Sequence, residues 1–408
     1  LTKKFEYSPF RPYSYPFFRE KAMSIKSVRR KILQLIPAGA VGAFVAACSG
    51  AVQNGQNQSV QSTESSPSTG ETITLKMQSS WPTKDIFHEI FLDWGKKVEE
   101  MSGGRLKINI LPVGSVVGAT QLIEAVDKGT LDGGHAFPAY WFGLNRAASL
   151  FGTGPSFGMD AEMMLGWIHY GGGQELYNEL IQTQLKKNVI SFFHGPVPTQ
   201  PLGWFKQQVK APADFKGLKF RTAGIALDVF KDMGAASQFI PGGEIVSSLE
   251  RGVIDAAEFS NTSSDEVLGF PDVRKVLMLQ SYHQPVEMLE LQMNKGKYDS
   301  LPPDLQAIIK YATMAQSADF TWKMMDRNSK DLATIEKDGV KVFITPKSIL
   351  EAQLQAWDKV IEKESADPFF KKVIDSQRAW AERVASCRLE VMVENKTAYD
   401  HFFKGAKA

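Results

Sequence analysis

The chain has 408 residues, of which 43% are apolar, 23% charged and 11% aromatic, with 33 Gly and 20 Pro; this composition excludes disorder, collagen and a small disulfide scaffold, and leaves chain enough for two domains. The formal net charge of +2 hides an uneven distribution, because nine Lys/Arg and two Asp/Glu fall in residues 1–47 and leave 38 Lys/Arg against 43 Asp/Glu in the remainder. A mildly acidic body without clustered Lys/Arg attracts phosphate weakly at long range, which argues against nucleic acid and against anionic membrane surfaces as partners.

Residues 1–22 have no place in an export signal, so they read as an upstream extension with Met23 as the start. Lys26, Arg29, Arg30 and Lys31 then precede a weakly apolar run from Ile32 to Ala47, the pattern of a signal peptide over residues 23–47. Val45-Ala46-Ala47-Cys48 looks like a bacterial lipobox, which makes Cys48 the lipidated new N-terminus and gives a periplasmic, lipid-anchored protein; a simple secreted protein with a spectator Cys is the alternative. Arg29-Arg30-Lys31 also fits twin-arginine export, with the general secretory route equally open. Residues 48–70 are Ser, Gln, Asn, Thr and Gly with little apolar content, a flexible tether.

The globular body is expected over residues 71–408. Ile73, Leu75 and Met77 alternate with polar residues as a strand does, and Ile86, Phe87, Ile90, Phe91, Trp94 and Val98 recur at helical spacing until Gly103-Gly104. Leu106, Ile108 and Ile110 alternate again, and Leu122, Ile123 and Val126 mark a second helix, so the order points to an α/β fold. An internal echo strengthens this: Gly104 to Ile108 leads through a helix to Ala125–Gly134, and Lys216 to Phe220 leads to Ser248–Ala257, each a Gly-ended helix feeding a strand through an Asp. Two separated copies of one unit suggest two α/β lobes; chance likeness between common helix-to-strand turns is the alternative. After Leu301 the pattern is mainly helical, over Asp304–Lys337, Lys347–Ser365 and Pro368–Lys404.

Catalytic motifs fail one by one. His88-Glu89 begins a zinc-protease pattern, but Leu92 stands where its second His is required, and the other histidines form no ligand-spaced pair. Gly171-Gly172-Gly173 lacks the Lys-Ser/Thr of a phosphate loop. Gly154-Pro155-Ser156-Phe157-Gly158 fits the letters of a nucleophile elbow, so an exported α/β serine hydrolase using Ser156 is the alternative function. Cys387 sits in a helical stretch as a lone thiol.

What remains is a set of polar and aromatic residues at segment ends, where doubly wound lobes bind ligands. Arg221 follows Leu218-Lys219-Phe220 and can hold a carboxylate through two parallel hydrogen bonds, although a surface Arg in a weak ion pair would have the same sequence context. Glu258-Phe259 ends the run from Val253 to Ala257, Gln200 ends the stretch from Val189 to Thr199, and Tyr140-Trp141 follows Leu131 to Phe137.

Over residues 72–385 the chain resembles the DctP-type extracytoplasmic solute receptors of tripartite ATP-independent periplasmic (TRAP) transporters, nearest the branch that binds 2-oxo acids and related monocarboxylates. The residues behind the resemblance are Ser79-Ser80-Trp81-Pro82, Tyr140-Trp141, Leu218 to Thr222, and the run from Gly242-Gly243-Glu244-Ile245 through Leu249 to Glu258. It implies a two-lobed periplasmic-binding-protein fold with a hinge, a long connecting helix and a helical C-terminus. The function implied is capture of a small carboxylate and its delivery to a small and a large membrane subunit, without catalysis or an organic cofactor. It maps the carboxylate-binding Arg onto Arg221, the remaining ligand contacts onto Gln200, Tyr140, Trp141, Glu258, Phe259, Gln284 and Trp81, and a metal site onto Gln200, Glu258, Phe259 and Gln284. Two departures stand out: Phe259 replaces the branch's usual Trp, and Gln284 stands where a second Glu is expected. With Arg221, Glu258 and a monocarboxylate as the only charges, the count favours sodium over calcium, or no metal. The long C-terminal helix is compatible with the homodimers, formed by swapping, of some relatives.

Overall fold

The computed structural model describes residues 71–404. Strand β1 (Ile73–Ser79) is followed by helix α1 (Ile86–Met101), which Asp85 caps by accepting from the Phe87 amide at 2.8 Å, satisfying one of the free N–H groups of the first turn. The face of α1 carrying Phe87, Ile90, Phe91, Trp94 and Val98 is buried, as its periodicity requires. Strand β2 (Leu106–Leu111), helix α2 (Leu122–Asp127) and strand β3 (Gly133–Ala136) complete the unit, with β1 parallel to both neighbours. Helix α3 (Ala161–Tyr170) and shorter turns lead to β4 (Val189–Val197).

Residues 198–202 cross to a second lobe. It contains β5 (Gly203–Phe205), β6 (Lys219–Arg221), α4 (Ala226–Asp232), β7 (Ala236–Gln238), α5 (Ile245–Glu250), β8 (Ala256–Ala257), α6 (Thr262–Leu268) and β9 (Val276–Leu279). Residues 280–286 cross back to β10 (Glu287–Asn294), which lies antiparallel between β3 and β4. The 35-residue helix α7 (Pro303–Lys337) packs on α1 of the first lobe and α6 of the second. Strand β11 (Lys341–Ile344) then joins β9, and α8 (Lys347–Glu364) and α9 (Pro368–Val391) return Trp357, Phe370 and Val373 to the core built around Leu122, Trp141 and Trp167. The sheets run β2-β1-β3-β10-β4 and β11-β9-β5-β8-β6-β7. The fold is the two-lobed α/β architecture with a long connecting helix.

The internal echo exists, shifted by one strand. The Asp255 amide donates to the Lys219 carbonyl at 2.8 Å and the Lys219 amide to Asp255 Oδ2 at 3.2 Å; in the first lobe Asp132 makes the same exchange with Lys76, at 2.8 Å each way. Lys76 lies on β1, so the counterpart of Lys216–Phe220 is β1 and not the Gly104–Ile108 segment that leads into β2. Gly-ended helices precede many strands and do not say which strand lies beside which. Aligned by pairing, β1-α1-β2-α2-β3 matches β6-α4-β7-α5-β8, with orders β2-β1-β3 and β7-β6-β8.

Helix α9 stops at Val391, short of Lys404, and a separate short helix covers Asn395–Tyr399. Leu389, Val391 and Val393 are exposed there, so no packing offsets the poor helix propensity of the two Val. Among the described residues no helix is long and apolar enough to cross a membrane. The signal segment, Cys48 and the tether lie outside the described residues.

Candidate functional site

Parallel pairing of β6 with β8 places Arg221 opposite Ala257, so Arg221 and the next residue, Glu258, leave the sheet side by side. Both are 1% exposed. Arg221 Nε donates to the Ile240 carbonyl at 2.9 Å, and Nη1 donates to the Glu258 carbonyl at 2.7 Å and to Glu258 Oε1 at 3.0 Å. Its Nη2 donates to no protein group among the described residues. Phe239 and Phe259 hold the guanidinium carbon 5.7 and 5.6 Å from their ring centroids, a cation–π arrangement on a desolvated cation. A Cβ on Gly242 would stand 2.5 Å from the Phe259 ring, so the glycine of this turn is needed for the ring's position.

The two crossing segments supply the other wall. The Gln200 amide donates to the Gln284 carbonyl at 3.1 Å, and Gln200 Nε2 donates to the Phe259 carbonyl at 3.1 Å. Gln200 Oε1, Gln284 Oε1 and Glu258 Oε2 are buried acceptors with no donor among the described residues. Glu287, at the start of β10, accepts from Ser260 Oγ at 3.0 Å. Burial pushes its carboxyl up to about 8, against the opposing effect of the Gln200 contact, and Glu258 adds to the rise. Glu287 is thus a second buried carboxyl near Glu258, outside the charge count drawn from sequence. His283 points Nε2 at Glu258 Oε2 from 3.9 Å.

Aromatic residues roof this chamber. Trp81 donates its indole N–H to His135 Nδ1 at 2.8 Å and packs 5.7 Å from Tyr140, which meets Phe239 edge-on at 5.7 Å. Burial raises the Tyr140 hydroxyl. Beyond Tyr140 and Phe239 lies a cavity of about 330 Å³ lined also by Phe142 and Leu227. Trp141 takes no part: it is fully buried in the first lobe's core and donates to Glu290 Oε1 at 2.6 Å. Tyr140 and Trp141 lie in a 3₁₀ turn, where successive side chains diverge by about 120°, so one faces the cleft and the other the core.

Two buried carboxyls flank the hinge. Asp85 of the first lobe accepts from Ser264 Oγ of α6 at 3.1 Å, and its value is raised to about 6 by burial. Asp265, beside Ser264, accepts from Trp204 Nε1 at 2.7 Å and is raised to about 7, again by burial.

The structure thus brings Arg221, Glu258, Phe259, Gln200 and Gln284 together, with Trp81 and Tyr140 beside them. The sequence reading missed Glu287, His283 and Phe239. A signal for the first existed, since an acidic residue on a strand whose alternate positions are Met and Leu needs a partner when buried. Ser156 follows a short helix, Ser149–Gly152, and not a strand, and its hydroxyl bonds to no histidine or carboxylate among the described residues, so the hydrolase alternative has no support. Cys387 is exposed.

The model of the bacterial extracellular solute-binding proteins, family 7 (DctP), matches residues 77–369. A monocarboxylate 2-oxoacid-binding periplasmic protein of Nostoc is 31% identical over 336 residues, covering 81% of this chain and 89% of the relative. A TRAP periplasmic solute-binding protein from Colwellia psychrerythraea, solved with bound calcium and pyruvate, superposes with a TM-score of 0.75 at 32% identity, covering 82% of this chain and 100% of that one. One from Pseudoalteromonas atlantica, with bound sodium and pyruvate, gives 0.74 at 30% identity, covering 82% and 100%.

Proposed function

The chain belongs to the bacterial extracellular solute-binding proteins of family 7, and from that premise we propose that the chamber between its lobes receives a small 2-oxo monocarboxylate such as pyruvate for a TRAP transporter. The observation that carries this reading is the free Nη2 group of buried Arg221 in a chamber that also holds three buried oxygens without donors. With Nε and Nη1 committed to protein oxygens, Nη2 alone is left to donate to a carboxylate oxygen, so the two parallel hydrogen bonds expected from sequence are not available, but little ordering remains to be done.

The donorless oxygens fit a cation. Gln200 Oε1, Glu258, Glu287 and the Phe259 carbonyl, with Gln284 Oε1 beside them, would hold it, an all-oxygen set of the kind hard cations take. When bound, such an ion supplies positive charge to an oxygen of the ligand. Phe259 can contribute only its main-chain oxygen; its ring serves Arg221. With Glu287 ionised, the site and ligand carry two net negative charges, which suits a divalent ion; with Glu287 protonated they carry one, which suits sodium. The relatives solved with calcium and with sodium support both as candidates.

Closure follows from the chain path. Gln200 and Gln284 lie on the two crossings, Arg221 and Glu258 on the second lobe, and Trp81 and Tyr140 on the first, so a bound solute favours the closed arrangement by contacting both lobes. The closed receptor would then dock on the small and large membrane subunits. Extracytoplasmic location by a leader ending at Ala47, and anchoring through lipidated Cys48, belong to the same proposal and rest on sequence alone. A homodimer would use α7, where Tyr311 and Trp322 are exposed along one face. A thermal-shift screen of small carboxylates, with calcium or sodium, tests the reading: stabilisation by 2-oxo acids supports it, and a flat response across all of them refutes it.

A further inference from the structure

A buried hydrogen-bond chain behind Glu258 has its polarity set from its far end. It starts at the Tyr282 main-chain N–H, which can only donate and does so to Gln353 Oε1 at 2.8 Å. That fixes the Gln353 amide, so its Nε2 donates to Ser281 Oγ at 2.8 Å. The His283 main-chain N–H also points at Ser281 Oγ, at 3.4 Å. A hydroxyl has two lone pairs and one proton. With both lone pairs engaged, Ser281 gives its proton to His283 Nδ1, 2.5 Å away. With Nδ1 accepting, the ring's own proton sits on Nε2. That atom faces Glu258 Oε2 at 3.9 Å, too long for a hydrogen bond in this arrangement, and both are buried with no hydrogen-bond partner among the described residues. His283, Ser281 and Gln353 are 0%, 2% and 0% exposed, and the His283 ring packs on Phe230 at 5.1 Å.

We propose that Gln353 and Ser281 lock His283 in the Nε2–H form, making it a positioning residue that directs a donor at Glu258 Oε2 while Arg221 holds Oε1. Donating from Nε2, His283 is not itself an ion ligand; it orients the carboxylate that is. Helix α8, which carries Gln353, thereby reaches the solute site through three side chains. The inference rests on the reading of the chamber as a carboxylate-and-cation site, and the two are tested separately.

Imidazole ¹⁵N resonances of the full chain report which ring nitrogen carries the proton, and calorimetry with calcium chloride, sodium chloride and pyruvate reports binding. The parent is expected in the Nε2–H form. Ser281→Ala should lose that preference and weaken cation binding, by less than the about 10–100-fold that loss of a ligand's direct outer partner costs, while Ser281→Thr, which keeps the hydroxyl, restores both. If Ser281→Ala does not fold, Gln353→Met removes the anchor of the chain and gives the same two readouts. A parent with the proton on Nδ1 overturns the proposal, as does a variant that loses the tautomer but binds the cation like the parent. A parent in the Nε2–H form that binds neither cation nor pyruvate upholds the lock and refutes the functional reading.

Discussion

Arg221 Nη1 donates both to the Glu258 carbonyl at 2.7 Å and to Glu258 Oε1 at 3.0 Å, so the arginine is held by backbone as well as by charge. A pair fixed in this way is pre-organised: Nε and Nη1 are committed to the protein, and Nη2 is left for a ligand.

Arg221→Lys should weaken pyruvate binding, because a point charge replaces two fixed N–H groups, and Arg221→Ala should weaken it further. Hydrogen bonds to charged groups contribute about 1.5–3 kcal/mol, hence a loss of at least about tenfold. Arg221→Ala also leaves Glu258 buried without its cation, so the melting temperature falls in ligand-free protein. Calorimetry showing parent-like affinity in Arg221→Ala would sink the assignment.

Glu287→Gln removes a carboxyl beside Glu258 that can ionise when a cation binds. The expected outcome is weaker calcium binding and a shift of preference toward sodium, read by titrating each ion into metal-stripped protein. An unchanged calcium-to-sodium ratio would show that Glu287 lies outside the ion's field.

Stability should fall as pH rises from about 6.5 to 8.5. Asp265 and Glu287 are raised by burial to about 7 and about 8, so the folded state holds protons there that the unfolded state has released. Below about 6.5 the trend is opposed, because His88, His135, His169 and His194 are lowered by burial and must stay neutral to fold. Thermal melts across the range check this, and Asp265→Asn should flatten the slope.

Gly224 has φ +62, and a Cβ there would meet Ala139 Cβ at 2.8 Å and Ser149 Oγ at 2.9 Å, both on the first lobe. Gly224→Ala should therefore oppose closure and weaken ligand binding, with a larger radius of gyration in small-angle scattering. A variant as closed and as tight as the parent would mean that this contact absorbs a methyl group without cost.

Cys48→Ala should release the protein from the membrane fraction. Unchanged fractionation, together with an unmodified N-terminal peptide mass, would refute the lipobox reading.

The sequence by itself determined what depends on local periodicity and residue chemistry. The alternation in β1, the helical stripe of α1 and the long run of α7 made the α/β class and the connecting helix legible, and a spaced motif singled out Arg221 and Glu258, each at a strand end. Tertiary structure alone decided which strand pairs with which, so the echo had to be moved from β2 to β1. It also separated Tyr140 from Trp141, because a 3₁₀ turn aims adjacent side chains apart. Glu287 and His283 entered for the same kind of reason: they stand close to Glu258 only because the chain crosses between lobes twice, and a distance created by that crossing has no trace in residue spacing.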